Sequence, residues 1–198
     1  MIDSTSLSQL LLEAFSGKIT WMAASAHYPV EEFIETFKYT RGVMIKTISD
    51  LTDEQVAYQV QGDPTWSLSE MVTHLIYSQN AYYNALLDIT SSTLPHITEA
   101  AKGFGEGAKL SVPVVTLQKN IGEATPLIMD AIERTRANFD PNAVTSHPVF
   151  GKCNYATWIL LMLGHEVDHV RQGMIMRRAA RRALPKVSPV ADSSLTAQ

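Results

Sequence analysis

The chain has 198 residues, 45% of them hydrophobic and 18% charged, enough for one domain with a substantial core and short for two. Its formal net charge is -4, so no global positive field recommends nucleic acid or an anionic membrane as a partner. The single cysteine, Cys153, excludes an internal disulfide and a cysteine-rich zinc site, and it fits a reducing compartment.

Residues 7–24 set Leu7, Leu10, Leu11, Ala14, Phe15 and Lys18 at helical spacing, and Trp21 and Met22 extend the stripe. This pattern predicts an amphipathic leading helix outside the main core. Ala23-Ala24-Ser25-Ala26 imitates an export cleavage site. The start, however, carries Asp3 and no Lys or Arg, and Glu13 and Lys18 interrupt the apolar stretch, so a cytoplasmic chain is expected. No segment is apolar for long enough to span a membrane.

Pro29 breaks the pattern and suits the first turn of a second helix, from about Val30 to Ser49. Its stripe is Phe33, Ile34, Phe37, Arg41, Met44, Ile45 and Ile48, with Arg41 expected to snorkel out of the core. A short helical turn over 53–60 leads to Gly62-Asp63-Pro64, a turn signal. Ser67 and Glu70 then have capping-box spacing at the start of a helix running to about Asp88. Ser67, Glu70, Met71, His74, Tyr77 and Ser78 share one line on it, which turns His74 inward.

Residues 89–113 read as a long crossover rich in Ser, Thr, Gly and Pro, with a short turn near 98–102, that can cover one end of a helix bundle. Val115 to Phe139 predicts a further helix with Leu117, Ile121, Ala124, Ile128 and Ile132 inward, kinked or divided at Pro126. Residues 140–152 read as a loop. Asn154 is a suitable N-cap for a last helix reaching about Ala183, and Pro185 ends it. No alternating run asks for a sheet. The fold expected is all-α: a four-helix bundle over 29–184, a helical extension over 1–28 and a disordered tail over 185–198. Arg171, Arg177, Arg178, Arg181, Arg182 and Lys186 crowd the last helix and its end. There they complement the helix dipole, a role preferred here to a phosphate-binding patch.

Chemistry concentrates in His165-Glu166-Val167-Asp168-His169 on that last helix. At about 100° per residue the two imidazoles lie one turn apart and within roughly 40°, so both can reach one divalent ion. His-Glu-x-x-His is also the spacing of zinc metallopeptidases, in which the glutamate polarises water. Those enzymes draw a third ligand from downstream, and beyond His169 this chain has no His or Glu and only Asp192. A third ligand must come from upstream. His27, His96 and His147 lie in loops or beside prolines, which leaves His74, whose alternative is a hydrogen-bonded core histidine.

Three neutral imidazoles leave an ion dipositive with a position open, the arrangement of a catalytic site. Zinc or nickel is the first expectation, and iron or manganese also suits this ligand type. Trp158, Met176, Met162, Gln172, Met71, Tyr77 and Phe37 are candidates for surrounding apolar wall or plain core. Glu166 is the candidate catalytic base, although its angle on the helix, like that of Asp168, favours solvent. Glu70 can cap its helix or hold an imidazole N–H. Cys153 is too far along the helix to reach the same ion.

Trp66-Ser67-Leu68-Ser69-Glu70-Met71-Val72-Thr73-His74-Leu75, His147-Pro148-Val149-Phe150-Gly151 and His165-Glu166-Val167-Asp168-His169-Val170-Arg171-Gln172, in this order, resemble the DinB-like bundles. That family includes bacterial thiol S-transferases and mycothiol-dependent maleylpyruvate isomerases. The resemblance covers about Glu31 to Arg182 and implies a three-histidine metal site at His74, His165 and His169. It further implies a metal-dependent thiol S-transferase or hydrolase that takes a small electrophile and a low-molecular-weight thiol, in a chain that can form a homodimer. The alternative is a non-catalytic, metal-stabilised binding or stress-associated bundle.

Overall fold

The computed structural model describes residues 6–59, 66–76, 78, 112–137, 140, 143–147 and 150–185. The expected short turn at 98–102, Tyr77, His96, most of the crossover and the tail from 186 onward lie outside them. The helices are α1 (Leu7–Phe15), α2 (Trp21–Ser25), α3 (Val30–Ile48), α4 (Asp53–Ala57), α5 (68–76), α6 (Val114–Arg136) and α7 (Tyr155–Ala183). The chain is all-α in class, with a two-stranded antiparallel sheet of β1 (Thr145–His147) and β2 (Gly151–Cys153) as its only strands among the described residues. Among those residues, no helix is long and apolar enough to cross a membrane.

Local chemistry explains most helix starts. Ser67 and Glu70 close the expected capping box: the Ser67 N–H donates to Glu70 Oε2 at 2.7 Å and the Glu70 N–H to Ser67 Oγ at 3.2 Å. Asn154 Oδ1 accepts from the Thr157 N–H at 2.9 Å and sets the first turn of α7. The entry to α6 is pinned from two other elements, because the Val112 N–H donates to Ser69 Oγ at 2.7 Å and the Val114 N–H to Asp53 Oδ1 at 2.8 Å. These bonds bring the far end of the crossover back beside α5.

The core lies between α3, α5, α6 and α7, with α3 packed most extensively on α7. Phe33, Phe37, Met44 and Ile48 of α3 meet Leu160, Leu163 and Val170 of α7 in one buried cluster. Leu68, Met71 and Leu75 of α5 and Ile121, Ile128 and Ile132 of α6 complete it. At roughly 1.5–3 kcal/mol for each large apolar side chain removed from water, this burial is the main term favouring the fold.

Four expectations need correction. The leading segment is two short helices, α1 and α2, separated by a turn at Gly17, where φ is 72°. It is not outside the core: Leu10, Leu11, Ala14, Trp21 and Ala24 belong to the main cluster. A Cβ added at Gly164 of α7 would stand 3.0 Å from the Trp21 ring and 3.3 Å from Leu11 and Phe15, so that glycine admits the segment. Residues 140–152 contain β1 and β2, whose pairing a run of three residues per strand hides from any alternation count. Gly151, at φ 77°, supplies the left-handed backbone there, and Trp158 Nε1 donates to Thr145 Oγ1 at 2.7 Å to tie β1 to α7. Finally, of the kink or division expected at Pro126, the division does not occur: α6 runs through it as one helix. Pro126 and Gly122, whose carbonyl loses its usual donor, are both on the exposed face, so water can satisfy the carbonyl.

Candidate metal centre

His74 projects from α5, and His165 and His169 from consecutive turns of α7. His165 Nε2 lies 3.1 Å from His74 Nε2 and 3.1 Å from His169 Nε2. The ligand atoms of all three lie within 4.8 Å of one another. On a tetrahedral ion with bonds of about 2.0–2.1 Å, two imidazole nitrogens stand roughly 3.3 Å apart, so the observed spacing is that of a ligand set. The helical period sets His165 and His169 one turn apart, and the packing of α5 beside α7 brings His74 to them.

Hydrogen bonding alone does not account for the cluster. A neutral imidazole nitrogen either donates or accepts, so His165 Nε2 can make a hydrogen bond to only one of its two neighbours. His169 Nδ1 faces Gln172 Oε1 at 3.2 Å, which places its proton on Nδ1 and its lone pair on Nε2. A cation accepts all three lone pairs at once. The Ser78 hydroxyl, one turn beyond His74, also reaches His74 Nε2, at 3.3 Å.

The electrostatics keep the rings neutral. Burial pulls His74 down to about 4, helped by the neighbouring His169. Burial, the other two histidines and Arg41 pull His165 down to about 3. Burial also lowers His169, against the opposing effects of Gln172 and Asp168. Near neutral pH the three rings therefore offer lone pairs, the form a metal requires.

The carboxylates that could have closed the site are engaged elsewhere. Glu70 caps α5 and accepts from Gln59 Nε2 at 3.3 Å. Asp168 Oδ2 accepts from Gln172 Nε2 at 2.7 Å, and Asp168 Oδ1 from Arg171 at 3.2 Å. Glu166 was expected to favour solvent and Arg41 to snorkel, yet both are buried and form an ion pair. The reason is geometric: Arg41 sits within the stripe by which α3 packs on α7, and Glu166 is on the side of α7 that faces it. Burial pushes the Glu166 carboxyl up, and Arg41 opposes the shift.

Trp66 is the neighbour that sequence reasoning missed. Its ring centroid is 4.5 Å from that of His74 and 6.0 Å from that of His169, nearly parallel to the latter at 25°. The available signals were its place just before the capping box and at the head of the segment that resembles the DinB-like bundles. Trp66, His169, Gln172 and Met176 line a cavity of about 280 Å3. Of the other candidates for wall, Met176 and Gln172 are therefore in place. Trp158 instead packs on His147, with centroids 5.2 Å apart, while Met162 and Phe37 lie in the core. His147 also faces Phe150, His27 is exposed after α2, and Cys153 is buried by β2, so none of these joins the triad.

The family model described as the DinB superfamily matches residues 36–172, from within α3 to the end of the histidine motif on α7. The chain belongs to the DinB superfamily. No curated protein and no solved structure shows significant similarity to it. The DinB match spans all three histidines, Arg41, Trp66 and Gln172, and it leaves α1 and α2 outside.

Proposed function

We propose that this DinB protein is a metal-dependent enzyme, a thiol S-transferase or hydrolase acting on a small electrophile. His74, His165 and His169 hold one divalent ion, with zinc or nickel preferred and iron or manganese compatible with three nitrogens. One observation supports the proposal: three imidazole lone pairs converge while Glu70, Glu166 and Asp168 are bonded elsewhere, so no carboxylate among the described residues takes the position that water or substrate would need. An ion at this site supplies the Lewis acidity that lowers the pKa of water or of a thiol toward neutrality.

The chain's own residues have distinct tasks. Gln172 fixes the His169 tautomer, and Asp168 holds the Gln172 amide so that its oxygen faces the ring. Trp66 and Met176 offer an apolar wall against which the body of a small electrophile can lie. Glu166 is assigned the proton: Arg41 holds Oε1, and Oε2 has no hydrogen-bond partner among the described residues.

The experiment is conjugation of a small thiol, and hydrolysis, with a panel of small electrophiles, comparing wild type with His165→Ala, beside the absorption spectrum of the cobalt-substituted protein. Turnover above the variant, with a thiol-induced spectral change, is expected. Four protein ligands, no spectral change and no turnover above the variant would instead make the chain a metal-stabilised binding bundle.

A further inference from the structure

A second concave site lies at the junction of α3 and α7, away from the histidines. Its volume is about 660 Å3, and it is lined by Lys46, Asp50, Arg177, Arg178 and Arg181, with Val43 and Met174 as apolar wall. At about 100° per residue, Met174, Arg177, Arg178 and Arg181 centre roughly 130° around α7 from the His169 line. The cavity is therefore on another side of the helix from the one beside Trp66.

The helix-dipole role accounts for only part of this charge. Arg177 caps the end of α3, donating to the Lys46 carbonyl at 3.0 Å and the Thr47 carbonyl at 2.7 Å, and it pairs with Asp50 at 2.9 Å. Arg181 pairs with the same carboxylate. The Lys46 ammonium and the Arg178 guanidinium have no hydrogen-bond or ion-pair partner among the described residues. Four cations and one carboxylate thus line the cleft, a net of three positive charges there in a chain whose formal charge is -4. Such a cleft concentrates anions. Arginine forks suit phosphate oxygens, and Val43 and Met174 suit an apolar substituent.

We propose that the cleft of Lys46, Arg177, Arg178 and Arg181 binds a small dianionic phosphate monoester, with its organic part against Val43 and Met174. The volume lies within the range of roughly 300–1,000 Å3 usual for small-molecule sites. A flat anionic surface would not use the concavity, and the chain's overall negative charge opposes one.

The test is titration of phenyl phosphate into the full chain by calorimetry, with Lys46→Ala/Arg178→Ala as the variant. Both side chains are exposed and neither holds the fold, so the variant should melt like wild type and keep the same metal content. Saturable one-to-one binding that weakens at least tenfold in the variant and falls with added salt is the expected result. Equal affinity in variant and wild type would overturn the proposal, as would absence of saturable binding. Binding confined to phosphatidylglycerol vesicles, with none to phenyl phosphate, would also overturn it and make the patch a membrane contact.

Discussion

Arg41 of α3 and Glu166 of α7 form an ion pair whose side chains are 1% and 3% exposed, one residue along the helix from a histidine of the metal centre. A buried pair gains from mutual attraction but loses hydration, so its net contribution is small while breaking it leaves a stranded charge. Glu166→Ala should therefore destabilise the fold by about 3–5 kcal/mol in denaturant melts. The double replacement Arg41→Met/Glu166→Leu should be far milder than either single loss. A large and additive loss in the double variant would mean that the two side chains act independently and not as one coupled pair.

Gln172 connects His169 to Asp168. Removing its oxygen with Gln172→Leu should weaken metal affinity by about 10–100-fold, the usual effect of losing a group that orients a ligand. Gln172→Glu keeps an acceptor for His169 Nδ1 but sets a carboxylate against Asp168, so it should recover only part of it. Competition against a chromophoric chelator measures both. Unchanged affinity in the leucine variant would show that the His169 ring is fixed by other contacts, such as Trp66.

The metal-free protein should lose stability as it is acidified below about pH 6.5. His74 and His165 titrate at about 4 and about 3 in the folded chain, against an ordinary value of 6.5. Above 6.5 both states carry them neutral and they add no pH dependence. Between 6.5 and the folded values the unfolded chain takes up protons that the folded chain refuses, so unfolding is favoured progressively. Melting temperature against pH for the metal-free protein should fall through this window, and the His74→Gln/His165→Gln variant should give a flatter curve. Parallel curves would mean that the two rings are not held neutral by the fold.

Gly164→Ala tests the docking of the leading segment. The new methyl would press on the Trp21 ring, Leu11 and Phe15, and overpacking of this kind costs about 1–3 kcal/mol. Trp21 fluorescence should shift toward that of an exposed indole. A variant as stable as wild type with unchanged emission would place α1 and α2 off the core.

Periodicity made the long elements legible because they bury one continuous stripe. Bounds expected for α3 and α7 fall within a residue or two of those observed, and the Ser67, Glu70 and Asn154 caps act as their spacing implied. The histidine triad was legible for the same reason, two ligands on one helix and one on an inward line. What failed depended on tertiary partners. Arg41 looked like a snorkelling residue because its partner Glu166 is 125 positions away. The β1–β2 pairing is too short to alternate, and the docking of α1 rests on the absence of a side chain at Gly164. Trp66 gave no periodic signal because it precedes the first turn of its helix.

Metal content of the purified, reconstituted chain and of His74→Ala, His165→Ala and His169→Ala, each also followed by thermal melting, tests the central claim most directly. One divalent ion per wild-type chain is expected, with loss of stoichiometric binding in every variant and a wild-type melting temperature that rises with metal concentration while those of the variants do not. Full stoichiometry retained in each variant, or no ion bound by wild type, would contradict the claim.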